Sequence, residues 1–147
     1  MKPSILKAVY LVSAFFLVIT GFGQMPIYKR YYISEIPGLG WIANFYTTHY
    51  LHYVFGAILI GAAAYALAAY FLFQRKTALI SKSGYLRSLL LLGIIVTGLF
   101  LVIFNLPGLT LPQGFVIFLD LAHMGLAVAF LVAGLLAVIL GHRWVTA

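Results

Sequence analysis

Four long apolar runs constrain this chain more than any other feature. A helix crossing a bilayer needs about 20 mostly apolar residues, and residues 4–23, 48–73, 86–105 and 115–141 each supply such a run. Each run stops at a break: Pro26, Gln74-Arg75-Lys76, Asn105-Leu106-Pro107-Gly108 and His142-Arg143, in that order. Composition agrees with this reading. Of 147 residues, 65% are hydrophobic and 7% charged, too little polar surface to keep a soluble domain of this size dispersed. The expected fold class is all-α integral membrane: a four-transmembrane-helix bundle formed by residues 1–147 as a single membrane domain. The first run also fits the pattern of a secretory signal peptide, but it is long for a signal core, and a retained span is expected.

Positive charge assigns the sides. The net charge is +7, from nine Lys and Arg against Glu35 and Asp120. Lys2, Lys7, Arg75, Lys76, Lys82, Arg87 and Arg143 fall on one face of the four-span topology, and only Lys29 and Arg30 on the other. Cytoplasmic loops carry the excess of Lys and Arg, so both termini are expected in the cytoplasm and the protein in the cell inner membrane, multi-pass. The basic excess then meets anionic membrane lipid. No nucleic-acid module is visible, and nucleic acid is set aside as a partner.

The longest connection, the periplasmic loop 24–47, holds Tyr28, Tyr31, Tyr32, Trp41, Phe45 and Tyr46, with breakers at Pro26 and Pro37. That aromatic density suits a segment at headgroup level. The stretch "GWIANFYTTHYL" shows no Gly or Pro after Gly40, so the second helix is expected to begin near Trp41 and project beyond the bilayer.

A weak internal repeat runs through the spans. The first and third carry a Thr-Gly pair, in "VITGFG" and "IVTGLF", and the second and fourth a histidine followed by a glycine, His52 with Gly56 and His123 with Gly125. Two helical hairpins around a pseudo-symmetric centre would produce this pattern.

The chain has no cysteine, which removes disulfides, thiolate metal sites, iron–sulfur clusters and covalent c-type haem attachment. Histidine is the remaining ligand for a redox centre. With the fourth helix starting near Gly114, His123 lies nine residues in, roughly 13 Å along the helix. With the second starting near Trp41, His52 lies eleven in, roughly 16 Å. Two readings stand for such a pair. Each histidine hydrogen-bonds a neighbouring helix, or the two are the axial ligands of one haem b, an imidazole on each face of the ring. Gly21, Gly56, Gly98 and Gly125 are candidates for the side-chain-free surface against which a haem packs. His49, one turn from His52, is a candidate for a haem propionate, for the interface, or for the ligand itself. His142 follows His123 by nineteen residues, roughly 28 Å of helix, and cannot share a haem with it. Asp120 is the one acid within a predicted span and is a candidate for a quinone-linked proton relay or for a buried hydrogen bond. Lys29 and Arg30 are candidate propionate contacts or plain interfacial charges.

On these residues the chain resembles the four-helix cytochrome b subunits of membrane-bound formate dehydrogenases and hydrogenases. His52-Tyr-Val-Phe-Gly is similar to that family's second helix, Val96-Thr97-Gly98 to its third, Leu121-Ala122-His123 to its fourth, and Phe15-Phe16-Leu17-Val18 with the Thr-Gly pair after it to its first. The resemblance implies haem ligation by His52 and His123 on the periplasmic side. The family's second haem does not transfer, because its ligand positions fall near Ala8 and Ala137, so the resemblance implies a one-haem variant. With no inner haem, the quinone site is expected nearer the outer face, by Asp120, His49 and the aromatic loop.

The expected function is a b-type cytochrome subunit passing electrons between a quinone pool and a periplasmic iron–sulfur or cytochrome c subunit, together with other membrane subunits. It is expected to be part of an oxidoreductase complex and not a stand-alone enzyme, since the chain leaves no room for a catalytic domain. The rivals are a cofactor-free four-helix anchor or assembly subunit and, third, a small proton-coupled transporter using Asp120 and His123.

Overall fold

The structure is a computed structural model and describes residues 3–108 and 111–146. The chain divides into two compact units, Met1–Phe73 and Gln74–Ala147, each built on one pair of long antiparallel helices. Among the described residues, four helices are long and apolar enough to cross a membrane. They bury little of themselves, only 6–11% of each most apolar stretch. Apolar side chains therefore cover their outer surfaces, as suits helices solvated by lipid rather than by water.

In the first unit, α1 (Pro3–Gln24) packs on α3 (Phe45–Ala69). Contacts run in opposite senses along the two helices. Phe16 stacks on Phe55 with ring centroids 4.2 Å apart, Thr20 meets His52, and Gln24 meets His49. Beyond Ala69 the helix widens into one π turn, Tyr70–Gln74, before the polar Gln74-Arg75-Lys76 break.

The aromatic connection between α1 and α3 is folded rather than extended. Short helix α2 (Pro26–Arg30) is followed by 3-10 turns at Ile33–Glu35 and Gly40–Ala43. Tyr28 is 1% exposed, its hydroxyl donates to the Leu39 carbonyl at 2.7 Å, and its ring meets Phe22 edge-on. Gly23 permits the close approach of Ile42, whose side chain and carbonyl occupy the space a Cβ would need. The segment is thereby tied back onto the end of α1, while Tyr31, Tyr32, Trp41 and Tyr46 stay exposed.

The second helix does not begin at Trp41. Trp41 lies in a 3-10 turn, and α3 starts at Phe45 after Asn44 takes an extended conformation. The Asn44 side chain accepts from the Thr47 backbone N–H at 3.2 Å, satisfying one of the donors that a helix start leaves open. The start signal was a cap, where a search for Gly and Pro alone finds nothing.

In the second unit, α4 (Lys82–Phe104) packs on α5 (Gln113–Ile139). Helix α4 starts four residues before the expected 86, because Ser81 caps it through the Gly84 N–H at 2.9 Å. Strand β1 (Leu79–Ile80) pairs antiparallel with β2 (Val145–Thr146). The segment after α5 therefore lies beside the start of α4, on the same end of this hairpin. Arg87, expected among the loop charges, is instead 6% exposed within α4. Its guanidinium sits 4.3 Å from the Trp144 ring centroid and its Nε donates to the Ser83 carbonyl at 3.2 Å.

Candidate functional site

Among the described residues, each unit shows a threonine–histidine contact, and the two contacts are built alike. In the first, Thr20 Oγ1 and His52 Nδ1 are 2.9 Å apart. In the second, Thr97 Oγ1 and His123 Nδ1 are 2.9 Å apart. Both threonines also reach their own helix backbone one turn back, Thr20 to the Phe16 carbonyl at 2.6 Å and Thr97 to the Gly93 carbonyl at 2.8 Å.

Both contacts fall on Nδ1 of the ring, and the direction of each bond depends on the imidazole tautomer. The His123 ring also bonds the Ile94 backbone. Metal-bound histidines commonly bond a protein group through one ring nitrogen and hold the metal through the other.

The glycine after each threonine seats the ring. A Cβ at Gly21 would stand 3.4 Å from His52 Cε1, and one at Gly98 would stand 3.0 Å from His123 Cε1. These two glycines touch imidazole, a role that sequence reading had not assigned them. Around Gly56 and Gly125, nothing lies within 4 Å of a Cβ, as is also true at Gly61, Gly114 and Gly134.

Counting from helix ends shows where the hairpins differ. His52 is seven residues into α3 (52 − 45) and Thr20 is four before the end of α1 (24 − 20). His123 is ten residues into α5 (123 − 113) and Thr97 is seven before the end of α4 (104 − 97). Both helices of the second hairpin thus run three residues, nearly one turn, further past the contact. The corrected helix starts place His52 about 10 Å along its helix and His123 about 15 Å.

The positions one turn away from each contact are also equivalent. Towards the connection between the two helices, Gln24 and His49 in the first unit correspond to Leu101 and Asp120 in the second. His49 is held between Phe45, with centroids 4.9 Å apart, and Tyr53 at 4.3 Å. Its Nδ1 is 3.2 Å from Gln24 Oε1, and the Gln24 amide donates to the Thr20 carbonyl at 3.3 Å. The repeat separates His49 from His52: the second unit has a threonine–glycine–histidine group matching Thr20, Gly21 and His52, and at the position of His49 it has Asp120. Asp120 is exposed on α5, one turn from His123.

The other expected residues lie apart from these contacts. Arg30 is exposed on α2, and the Lys29 side chain falls outside the described part of the structure. Ala8 is exposed on α1 and Ala137 is 3% exposed on α5. His142 is exposed.

Among the described residues, no group of three or more His, Cys, Asp or Glu side chains is placed to hold a bare metal ion. A haem asks for less, since the macrocycle supplies four nitrogens and the protein two axial ligands. Each unit supplies one histidine bonded through Nδ1 to a threonine of the facing helix. Compared with known protein families, curated proteins and solved structures, the chain matches none of them.

Proposed function

We propose that this protein is a membrane-embedded b-type cytochrome subunit that passes electrons between a quinone pool and a periplasmic redox partner subunit. The observation that carries the reading is the repeated contact, Thr20 with His52 and Thr97 with His123, made in both cases through Nδ1 of the imidazole. His52 and His123 are the candidate axial ligands of the haem iron, and Gly56 and Gly125 are candidates for the helix surface beside it. Haem b supplies reversible one-electron transfer. Oxidation of a quinol also releases protons, and His49 and Asp120 are the titratable side chains one turn from the two ligands. Lys29 and Arg30 supply positive charge for propionates from the connection between α1 and α3. In this reading both termini face the cytoplasm of a cell with an inner membrane.

The test is an optical spectrum of the purified full-length chain, supplied with haem and reduced with dithionite. A b-type alpha band that disappears in both His52→Ala and His123→Ala is expected. Absence of the band in haem-supplied protein overturns the reading. Asp120→Asn is expected to slow haem reduction by quinol with the band unchanged; unaltered kinetics remove Asp120 from the proton path.

One observation also favours a second reading. A histidine bonded to a threonine on the facing helix is itself an interhelical fastener, worth about 0.6 kcal/mol in a membrane protein. A cofactor-free anchor subunit would use the two contacts in this way alone, and the same spectrum separates the two functions.

A further inference from the structure

We infer that the end of the second hairpin carries a phosphate-binding cleft, in which Lys82 and Arg143 hold an anionic phosphate group such as a lipid headgroup, a site independent of the electron-transfer reading.

The cleft has a volume of about 530 Å³, within the roughly 300–1,000 Å³ of small-molecule sites. The start of α4 supplies Ser81, Lys82 and Ser83 to its lining, and the segment after α5 supplies His142, Arg143 and Thr146. Backbone contacts fix these two segments against each other. Ser81 donates its hydroxyl to the Arg143 carbonyl at 2.6 Å and its N–H to the Trp144 carbonyl at 3.0 Å. Gly84 allows this approach, because the Trp144 carbonyl occupies the space a Cβ would need. Helix α5 closes in a turn around Gly141, at φ 68°, with the His142 N–H on the Ala137 carbonyl at 2.8 Å. Arg87 braces the same turn, with its guanidinium against the Trp144 ring and a long bond to the His142 carbonyl at 3.5 Å. Lys82 follows a fixed cap and Arg143 a fixed turn, so two exposed cations far apart in sequence are held at one cleft.

The charge there asks for an anion. The second unit has five Lys and Arg and one acidic residue, Asp120. Asp120 stands 19 residues before the end of α5 (139 − 120), roughly 28 Å of helix. That is far beyond the screening length of about 8 Å at physiological salt, so Asp120 does not neutralise Lys82 or Arg143. A phosphate group supplies the missing charge, accepting two parallel bonds from an arginine fork and meeting lysine as a point charge. Location favours lipid as its source. Helix α4 is long and apolar enough to cross a membrane and begins at Lys82, and basic pockets at the ends of spans bind anionic headgroups.

The experiment uses the full chain, delipidated in detergent, with bound ligand read by native mass spectrometry. The probes are phosphatidylglycerol, phosphatidylcholine and inorganic phosphate. Phosphatidylglycerol is expected to bind in preference to phosphatidylcholine. Lys82→Gln and Arg143→Gln should each weaken that binding about tenfold, the worth of one charge-assisted contact. Arg75→Gln combined with Lys76→Gln removes charge outside the cleft lining and should leave it unchanged. Inorganic phosphate bound with the same dependence on Lys82 and Arg143, without preference between the lipids, makes free phosphate the source. Equal weakening by substitutions inside and outside the cleft overturns the inference, as does failure of both phosphatidylglycerol and inorganic phosphate to bind. A second measurement needs no variant. Acetylation of Lys82 by a water-soluble reagent should be several-fold slower in phosphatidylglycerol nanodiscs than in phosphatidylcholine ones, with Lys76 changed far less. For free phosphate as the source, the same protection appears on adding inorganic phosphate to phosphatidylcholine nanodiscs. Lys82 and Lys76 slowed alike, or Lys82 protected by neither probe, overturns the site even where a substituted chain misfolds.

Discussion

The two units share a contact and differ in almost everything around it. Each sets threonine, glycine and histidine together across a pair of antiparallel helices. One turn away on the side opposite the connection, the first unit stacks Phe16 on Phe55, where the second sets Gly93 against Leu126. On the connection side, the first has Gln24 bonded to His49, where the second has Leu101 and Asp120. The first unit elaborates the connection between its helices, with Tyr28 buried beneath it; the second elaborates the opposite end, with Arg87 over Trp144 and the β1–β2 pair. A feature that stays constant while its packing environment changes is under a demand that packing does not explain. The proposed function draws on that contrast: the threonine–histidine pairs repeat, while the structural specialisation lies elsewhere.

The comparison breaks most visibly at the ligands. His52→Ala and His123→Ala are expected to abolish low-spin haem binding equally, read as loss of the b-type band. A band that survives one substitution ends the equivalence of the units.

The glycines should separate the units by degree. Gly98→Ala puts a methyl group 3.0 Å from His123 Cε1, and overpacking of this kind costs about 1–3 kcal/mol. Gly21→Ala meets His52 at 3.4 Å, ordinary contact, and a helix-interior glycine replaced by alanine gains about 0.5–1 kcal/mol. Unfolding in detergent should therefore show Gly98→Ala destabilised and Gly21→Ala near neutral or better.

Gln24→Leu makes the first unit resemble the second at Leu101. It should cost about 1 kcal/mol through the lost His49 bond and leave the haem spectrum unchanged, because Thr20 still holds His52. The smallest effect belongs to Trp144→Ala. Loss of the Arg87 contact should cost about 0.5–1 kcal/mol, with faster hydrogen exchange at Leu79 and Ile80 and no change at His123.

The four spans were legible because apolar length leaves few alternatives, and their ends were misjudged where a polar cap did the work. Asn44 and Ser81 start helices without any change in hydrophobicity, so a reading based on apolar runs and Gly or Pro breaks passes over them. The histidines stood out because an imidazole within an apolar run is rare. The Thr-Gly pairs were visible as a repeat but not as partners of the histidines, since the contacts join residues 32 and 26 positions apart. Nothing local shows that Thr20 faces His52 or that Gly21 touches its ring. Arg87 was misread for a related reason: a cation near a span end suggests a lipid contact until the tryptophan 57 residues later (144 − 87) is seen to cover it.

The β1–β2 pair has a consequence for the order in which the protein is made. Every partner in the first unit's contact layer, from Phe16 to Phe55, has been synthesised long before the second unit begins, and chain segments fold as they emerge. The second hairpin cannot close its start until residues 145 and 146 exist to pair with 79 and 80. The first histidine can therefore meet its threonine while the second is still unmade, so the half that waits for its partner is always the same one.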